Sequence, residues 1–166
     1  GTAPLKIVGG QTLHGIEYTL PLVSAQVKSC LLLAALYAKG PTVVIEQIIS
    51  RNHTELMIEA FGHPLDLVRP HVSLESQGRL QATRLHVPGD ISAAAFFMVG
   101  ATIAPGSDVV LENVGMNPTR MGVINILTMM GAKIMLENER MHGSELSADI
   151  HVRYAPLHGI DVPMEQ

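Results

Sequence analysis

The sequence predicts an α+β protein built of repeated βαβαββ units, with helices gathered inside and sheets outside. Three observations carry that reading. Two stretches of the chain hold the same elements in the same order about 66 residues apart. The first helix of each stretch is apolar on nearly every side, and such a helix needs cover on every side. The strands that follow those helices, Thr42-Val43-Val44-Ile45-Glu46 and Asp108-Val109-Val110-Leu111-Glu112, are rich in β-branched residues.

Each copy opens on an apolar residue followed by proline, Leu20-Pro21 and Val87-Pro88, and then enters a helix rich in small residues, over 25–38 and 91–104. Residues 91–104 carry no charge and 25–38 carry only Lys28. Gly40 and Gly106 stop these helices, because glycine accepts the left-handed conformation at a helix end. After the paired strands comes a second helix. In the first copy it is opened by Asn52-His53-Thr54-Glu55 at capping-box spacing, and in the second by Asn117-Pro118, an N-cap with proline in the first turn. Gly62 and Gly131 end these helices. Two hairpins close the units, 65–68 with 72–75 and 133–136 with 148–153. The run Leu157-His158-Gly159-Ile160-Asp161-Val162-Pro163 echoes Leu13-His14-Gly15-Ile16-Glu17 and Leu20-Pro21, so residues 157–166 read as the first strand of a third unit. Two units cover two all-apolar helices poorly, which implies an assembly with more units than these 166 residues contain.

Composition narrows the function classes. With 47% hydrophobic and 16% charged residues the chain must pack a core. An aromatic share of 4%, the absence of tryptophan and a net charge of −4 weigh against nucleic-acid binding. The longest charge-free stretch, 91–107, is short for a membrane span and is broken by Gly100, Pro105 and Gly106, and no basic-then-apolar leader opens the chain. A cytoplasmic protein without a membrane partner is expected. The single cysteine, Cys30, lies in an apolar run and is expected to be a buried, inert thiol. The eight histidines stand singly, with no pair at helical metal-ligand spacing, and no phosphate loop, nucleophile elbow or paired-cysteine motif occurs, so neither metal nor cofactor is expected.

Chemistry is best placed at Pro21-Leu22-Val23-Ser24-Ala25-Gln26-Val27-Lys28-Ser29, where a strand meets the N-terminus of an apolar helix. Unpaired backbone N–H groups and the positive end of the helix dipole favour an anion there. Ser24 adds a hydroxyl and Gln26 an amide, although a serine in this place also serves as a plain N-cap. In Ser50-Arg51-Asn52-His53-Thr54-Glu55, Arg51 offers a bidentate contact to phosphate or carboxylate, or is simply an exposed loop arginine. Asn117-Pro118-Thr119-Arg120 holds the equivalent place in the second copy, where capping accounts for it. Val87-Pro88-Gly89-Asp90 reads as a hinge or as an ordinary turn, with Asp90 capping the next helix.

The two segments 20–29 and 50–55, together with Val87-Pro88-Gly89-Asp90-Ile91-Ser92-Ala93-Ala94 and Asn117-Pro118-Thr119-Arg120, resemble in order and spacing the 5-enolpyruvylshikimate-3-phosphate synthases. The resemblance covers essentially the whole sequence but only a middle portion of the family's longer chain. It implies transfer of the enolpyruvyl group of phosphoenolpyruvate to the 5-hydroxyl of shikimate 3-phosphate, with release of phosphate. It also implies the enolpyruvyl transferase inside-out α/β barrel, two domains of three βαβαββ units each. On that frame residues 1–88 end the N-terminal domain, 89–156 begin the C-terminal domain and 157–166 start the next unit. Ser24 then matches the serine that binds the phosphate of shikimate 3-phosphate, with Ala25 beside it. Gln26 matches a glutamine that touches both substrates, and Arg51 a basic residue over shikimate 3-phosphate. Lys28 and Ser29 acquire no ligand role. The family's acidic catalytic residue and its cationic contacts to phosphoenolpyruvate have no counterpart in this sequence, so no catalytic residue is assigned and the chain alone is expected to be inactive. Two alternatives stand beside this reading. One is a fragment of the enolpyruvyl transferase acting on UDP-N-acetylglucosamine, against which Ser24-Ala25-Gln26 argues. The other is a non-catalytic assembly module of a split enzyme, which pairs through its apolar helices with a second copy or with the missing remainder.

Overall fold

A computed structural model describes residues 2–76 and 79–163. The chain folds as two compact units, Gly1–Ala82 and Thr83–Gln166. In the first, strand β1 (Glu17–Thr19) leads into helix α1 (Ala25–Ala35), strand β2 (Pro41–Ile45), helix α2 (His53–Ala60) and the strand pair β3 (Asp66–Val68) and β4 (His71–Glu75). The expected βαβαββ order is therefore present. The sheet runs β1-β2-β4-β3, with β1 parallel to β2 and the remaining pairs antiparallel.

Local chemistry explains these boundaries. Ser24 has extended backbone and its side chain accepts a hydrogen bond from the Val27 amide, which starts α1. Gly40, at φ +83°, turns the chain back from α1 into β2, and Gly106 does the same after the corresponding helix at φ +80°. Leu32 and Ala35 of α1 and Ile58 of α2 meet Val44, Val72 and Leu74 of the sheet in one core. In β2 the alternation of buried Thr42 and Val44 with half-exposed Val43 and Ile45 is the period-two pattern of a strand covered on one face.

The second unit comprises α3 (Ile91–Ile103), β5 (Asp108–Gly115), a 3-10 turn (Pro118–Arg120), α4 (Gly122–Met129), β6 (Lys133–His142) and β7 (Glu145–Arg153), with sheet order β5-β7-β6. Asp90 caps α3 by accepting from the Ser92 amide, and Asn117 caps the 3-10 turn by accepting from the Thr119 amide, both as expected. One expectation needs correction. The first strand of this copy shrinks to a single parallel bridge between Gly89 and Val114, because Pro88 has no N–H to donate and Gly89 has no side chain to pack. Residues 157–163, expected to begin a third unit, form no strand with the described residues, and Met164, Glu165 and Gln166 lie outside them. Each apolar helix is covered on one side by its own unit's sheet, the poor cover that two units were expected to give. On α3, Met98 is fully buried whereas Phe96 is 81% and Phe97 65% exposed.

The closing hairpin of the second unit is also longer than expected, extending through the polar run 137–142. Two β-bulges make this possible. The β5–β7 register shifts between Leu111 and Val114, and the β6–β7 register between Glu137 and Arg140. At each bulge an asparagine takes positive φ, Asn113 at 53° and Asn138 at 50°. Asp149, on the central strand between them, serves both. Its carboxylate accepts from the Asn113 amide at 2.8 Å and from Asn138 Nδ2 at 2.9 Å, and it pairs with Arg140. The Asn113 amide, then the Asn138 side chain and Arg140, hold the Asp149 carboxyl below its ordinary value of 3.8. A depressed carboxyl adds stability that is fully present above that value and is lost as pH falls through the folded-state value. Asp149→Asn therefore lowers the unfolding temperature at neutral pH, and it flattens the acid limb of the stability profile below about pH 4, as read by thermal melts across pH.

Candidate functional site

The expected site residues converge in the first unit. The N-terminal turn of α1 and the loop before α2 enclose an open groove of about 590 Å³, lined by Ala25, Gln26, Ser29, Cys30, Leu33, Arg51, His53 and Thr54. Three of the four predicted residues, Ala25, Gln26 and Arg51, are on its wall. Ser24 is the fourth. It is half-buried and outside the lining, and its hydroxyl donates to Gln26 Oε1 at 3.4 Å while accepting from the Val27 amide at 3.3 Å, so the cap of α1 is hydrogen-bonded to a residue of the groove wall. Arg51 is exposed, and among the described residues it pairs with no acidic side chain. Its counterpart in the second unit, Arg120, differs: it is paired with Asp90 at 2.9 Å and donates to the Ser92 hydroxyl. Cys30 also lines the groove and is exposed, which corrects the expectation of a buried thiol. The apolar run around it faces its core with Leu32, one hundred degrees or so per residue placing the neighbours elsewhere on the helix.

Helix α1 also carries a buried ionic cluster, and sequence reading passed over it. Lys28 is fully buried, with Nζ 2.7 Å from Glu55 Oε1 and 3.0 Å from Glu46 Oε1. Glu55 is likewise fully buried and Glu46 is 1% exposed. Arg69 pairs with Glu46 Oε2 and lies 3.9 Å from Glu55. Two cations and two carboxylates balance, which is the condition for keeping charge inside a fold. Glu55 was read as the closing member of a capping box. The structure corrects this: Asn52 makes no side-chain cap bond, and Glu55 turns inward to Lys28 because an unpaired buried ammonium costs far more than an unfilled cap. One signal pointed here, a single lysine within an otherwise apolar helix.

Glu46 links this cluster to the groove. Its Oε1 accepts from both the amide and the hydroxyl of Ser50, at 3.1 and 2.5 Å. Burial opposes its ionisation, yet the Ser50 hydroxyl, Lys28 and the Ser50 amide together outweigh burial and hold the carboxyl below its ordinary value. Beside it, the Ser29 and Thr54 hydroxyls meet at 2.6 Å and join α1 to the start of α2.

Comparison with known proteins gives the family. Residues 1–166 match the family described as EPSP synthase (3-phosphoshikimate 1-carboxyvinyltransferase). The chain belongs to this family. It is similar to the 3-phosphoshikimate 1-carboxyvinyltransferase of Alkalilimnicola ehrlichii, 57% identical over 163 residues, which cover 98% of this chain and 36% of that protein. The enzyme of the same name from Acidithiobacillus ferrooxidans is 58% identical over 163 residues, 98% of this chain and 37% of that one. Among solved structures, an EPSP synthase from Acinetobacter baumannii superposes with a TM-score of 0.87 at 54% identity, covering 96% of this chain and 36% of that one. The chain thus spans little more than a third of the EPSP synthases it matches.

The ionic cluster sets a clear expectation. Lys28→Met leaves two carboxylates buried against Arg69 alone and destabilises the first unit by about 3–5 kcal/mol in denaturant titration. The double replacement Lys28→Met with Glu55→Leu recovers part of that loss, because it removes the orphaned charge as well.

Proposed function

We propose that the chain forms part of the shikimate 3-phosphate site of an enzyme that transfers the enolpyruvyl group of phosphoenolpyruvate to the 5-hydroxyl of shikimate 3-phosphate. The observation that carries this reading is the groove, whose wall unites Ala25, Gln26 and Arg51 with Ser24 hydrogen-bonded to Gln26. In this reading the Ser24 hydroxyl and the free amides of the first turn of α1 receive the phosphate. Ala25 leaves room for it. Gln26 both donates and accepts, which suits a residue shared by shikimate 3-phosphate and phosphoenolpyruvate, and Arg51 supplies a fork of donors over the ligand. The first unit is read as the last of the N-terminal domain and the second as the first of the C-terminal domain, with residues 157–166 entering the unit after it.

Enolpyruvyl transfer needs a proton donor to the alkene carbon, a base for the 5-hydroxyl and a cationic clamp on phosphate and carboxylate. The groove offers one guanidinium and no carboxylate among its lining residues. The chain by itself is therefore read as a binding portion without turnover. Among the described residues no helix is long and apolar enough to cross a membrane, and we place the enzyme in the cytoplasm as a member of a biosynthetic enzyme family.

Titration calorimetry with shikimate 3-phosphate is expected to show saturable binding that Ser24→Ala and Arg51→Ala each weaken by about tenfold or more. Mixed with both substrates, the purified chain releases no phosphate above background. Release by a preparation cleared of full-length enzyme overturns the assignment of inactivity, and absence of binding overturns the assignment of the groove.

The exposed side of α3, with Phe96, Phe97 and Ile103 between 58% and 81% exposed, is read as a face that a second copy covers when the rest of the enzyme is missing. Light scattering is expected to show mass rising with concentration, and Phe96→Asp with Phe97→Asp returns the protein to monomer. A wild-type monomer at all concentrations sinks this reading.

A further inference from the structure

The ionic cluster does more than hold the first unit together. Lys28 and Glu46 are buried to 1% exposure or less, yet Glu46 spends one carboxylate oxygen on both donors of Ser50. Ser50 is itself 7% exposed and immediately precedes Arg51, which has no acidic partner among the described residues. A long side chain in an exposed loop loses substantial rotamer and backbone freedom on binding an anion, unless its backbone is already fixed. In the second unit the equivalent arginine is held by direct pairing with Asp90. In the first, the anchoring falls one residue upstream and leaves the guanidinium free.

We propose that Glu46, held by Lys28, is a positioning residue for Arg51: it anchors Ser50 and so fixes the loop from which Arg51 reaches an anionic ligand in the groove. The inference deepens the reading of the groove as a shikimate 3-phosphate site and rests on it. Glu46 does not touch the ligand. Its hydrogen bonds to Ser50 are made before binding, so they lower the ordering cost that Arg51 otherwise incurs. Lys28 enters because its ammonium, 3.0 Å from the same Glu46 oxygen, fixes the carboxylate that receives Ser50. The Ser29–Thr54 hydroxyl contact braces the far end of the same loop against α1.

A double-mutant cycle on the full chain tests this, with shikimate 3-phosphate affinity as the readout and a thermal melt confirming that each variant is folded. Ser50→Ala is expected to weaken binding about threefold to tenfold in the wild-type background and to change nothing in the Arg51→Ala background. Equal losses in both backgrounds, or no loss in either, overturn the proposal, since a purely structural role gives additive effects. Hydrogen exchange supplies a second measurement that needs no ligand. Glu46→Gln, or Ser50→Ala if that variant fails to fold, is expected to speed exchange at the Ser50 and Arg51 amides while the core of β2 keeps its protection. Unchanged exchange there overturns the positioning role. If the wild-type chain takes up no shikimate 3-phosphate, the reading of the groove fails, and the exchange data still decide whether Glu46 orders the loop.

Discussion

An ammonium group with no access to water governs the first unit. Moving Lys28 out of solvent costs several kcal/mol, and only convergent carboxylates offset it. Glu46 follows β2 and Glu55 lies in α2, so α1, β2 and α2 must meet at one point for the charge to be tolerated. Arg69, between β3 and β4, supplies the fourth charge and draws the hairpin into the same cluster. The apolar core of Leu32, Val44 and Ile58 permits many relative slides of these elements; the ion cluster permits few. The groove at the N-terminus of α1 inherits that rigidity.

The second unit shows what happens when the same repeat lacks the cation. Four residues after the cap of α3, at the place Lys28 holds after Ser24, stands Ala94, which is buried in an apolar core. Glu112, in the place of Glu46, faces solvent. The polar constraint moves to the sheet instead, where Asp149 satisfies two bulges at once and lets β6 and β7 extend beyond their apolar stretches. One topology is thus pinned by an interior ion cluster in one copy and by a carboxylate between strands in the other. Among the described residues, the arginine after the equivalent strand has no acidic partner in the first unit and is paired with the cap of α3 in the second.

Much of this was legible before any coordinates. The repeat, the helix-ending glycines, the Asp90 and Asn117 caps and the convergence of Ser24, Ala25, Gln26 and Arg51 all follow from local pattern and from the resemblance of four spaced segments to EPSP synthases. Less legible were features that depend on which side of an element faces its neighbours. Cys30 looked buried because its neighbours are leucines, but a helix of one hundred degrees per residue puts it on the open side. The histidines stand singly in sequence, yet His86 and His142 stack with ring centres 4.3 Å apart. The capping-box spacing at Asn52 and Glu55 was genuine as a pattern, and a buried charge elsewhere claimed its acid.

Sequence by itself determined the order of elements and their repeat, because these rest on short-range periodicity, caps and turn residues that act within a few positions, and four spaced segments carried the resemblance to the family. Tertiary structure alone decided the pairing of Lys28 with Glu46 and Glu55, the two bulges around Asp149 and the link from Glu46 through Ser50 to Arg51. Those are interactions among groups brought together by the sheet and the helix packing, and the low dielectric that makes them decisive exists only once the chain has folded.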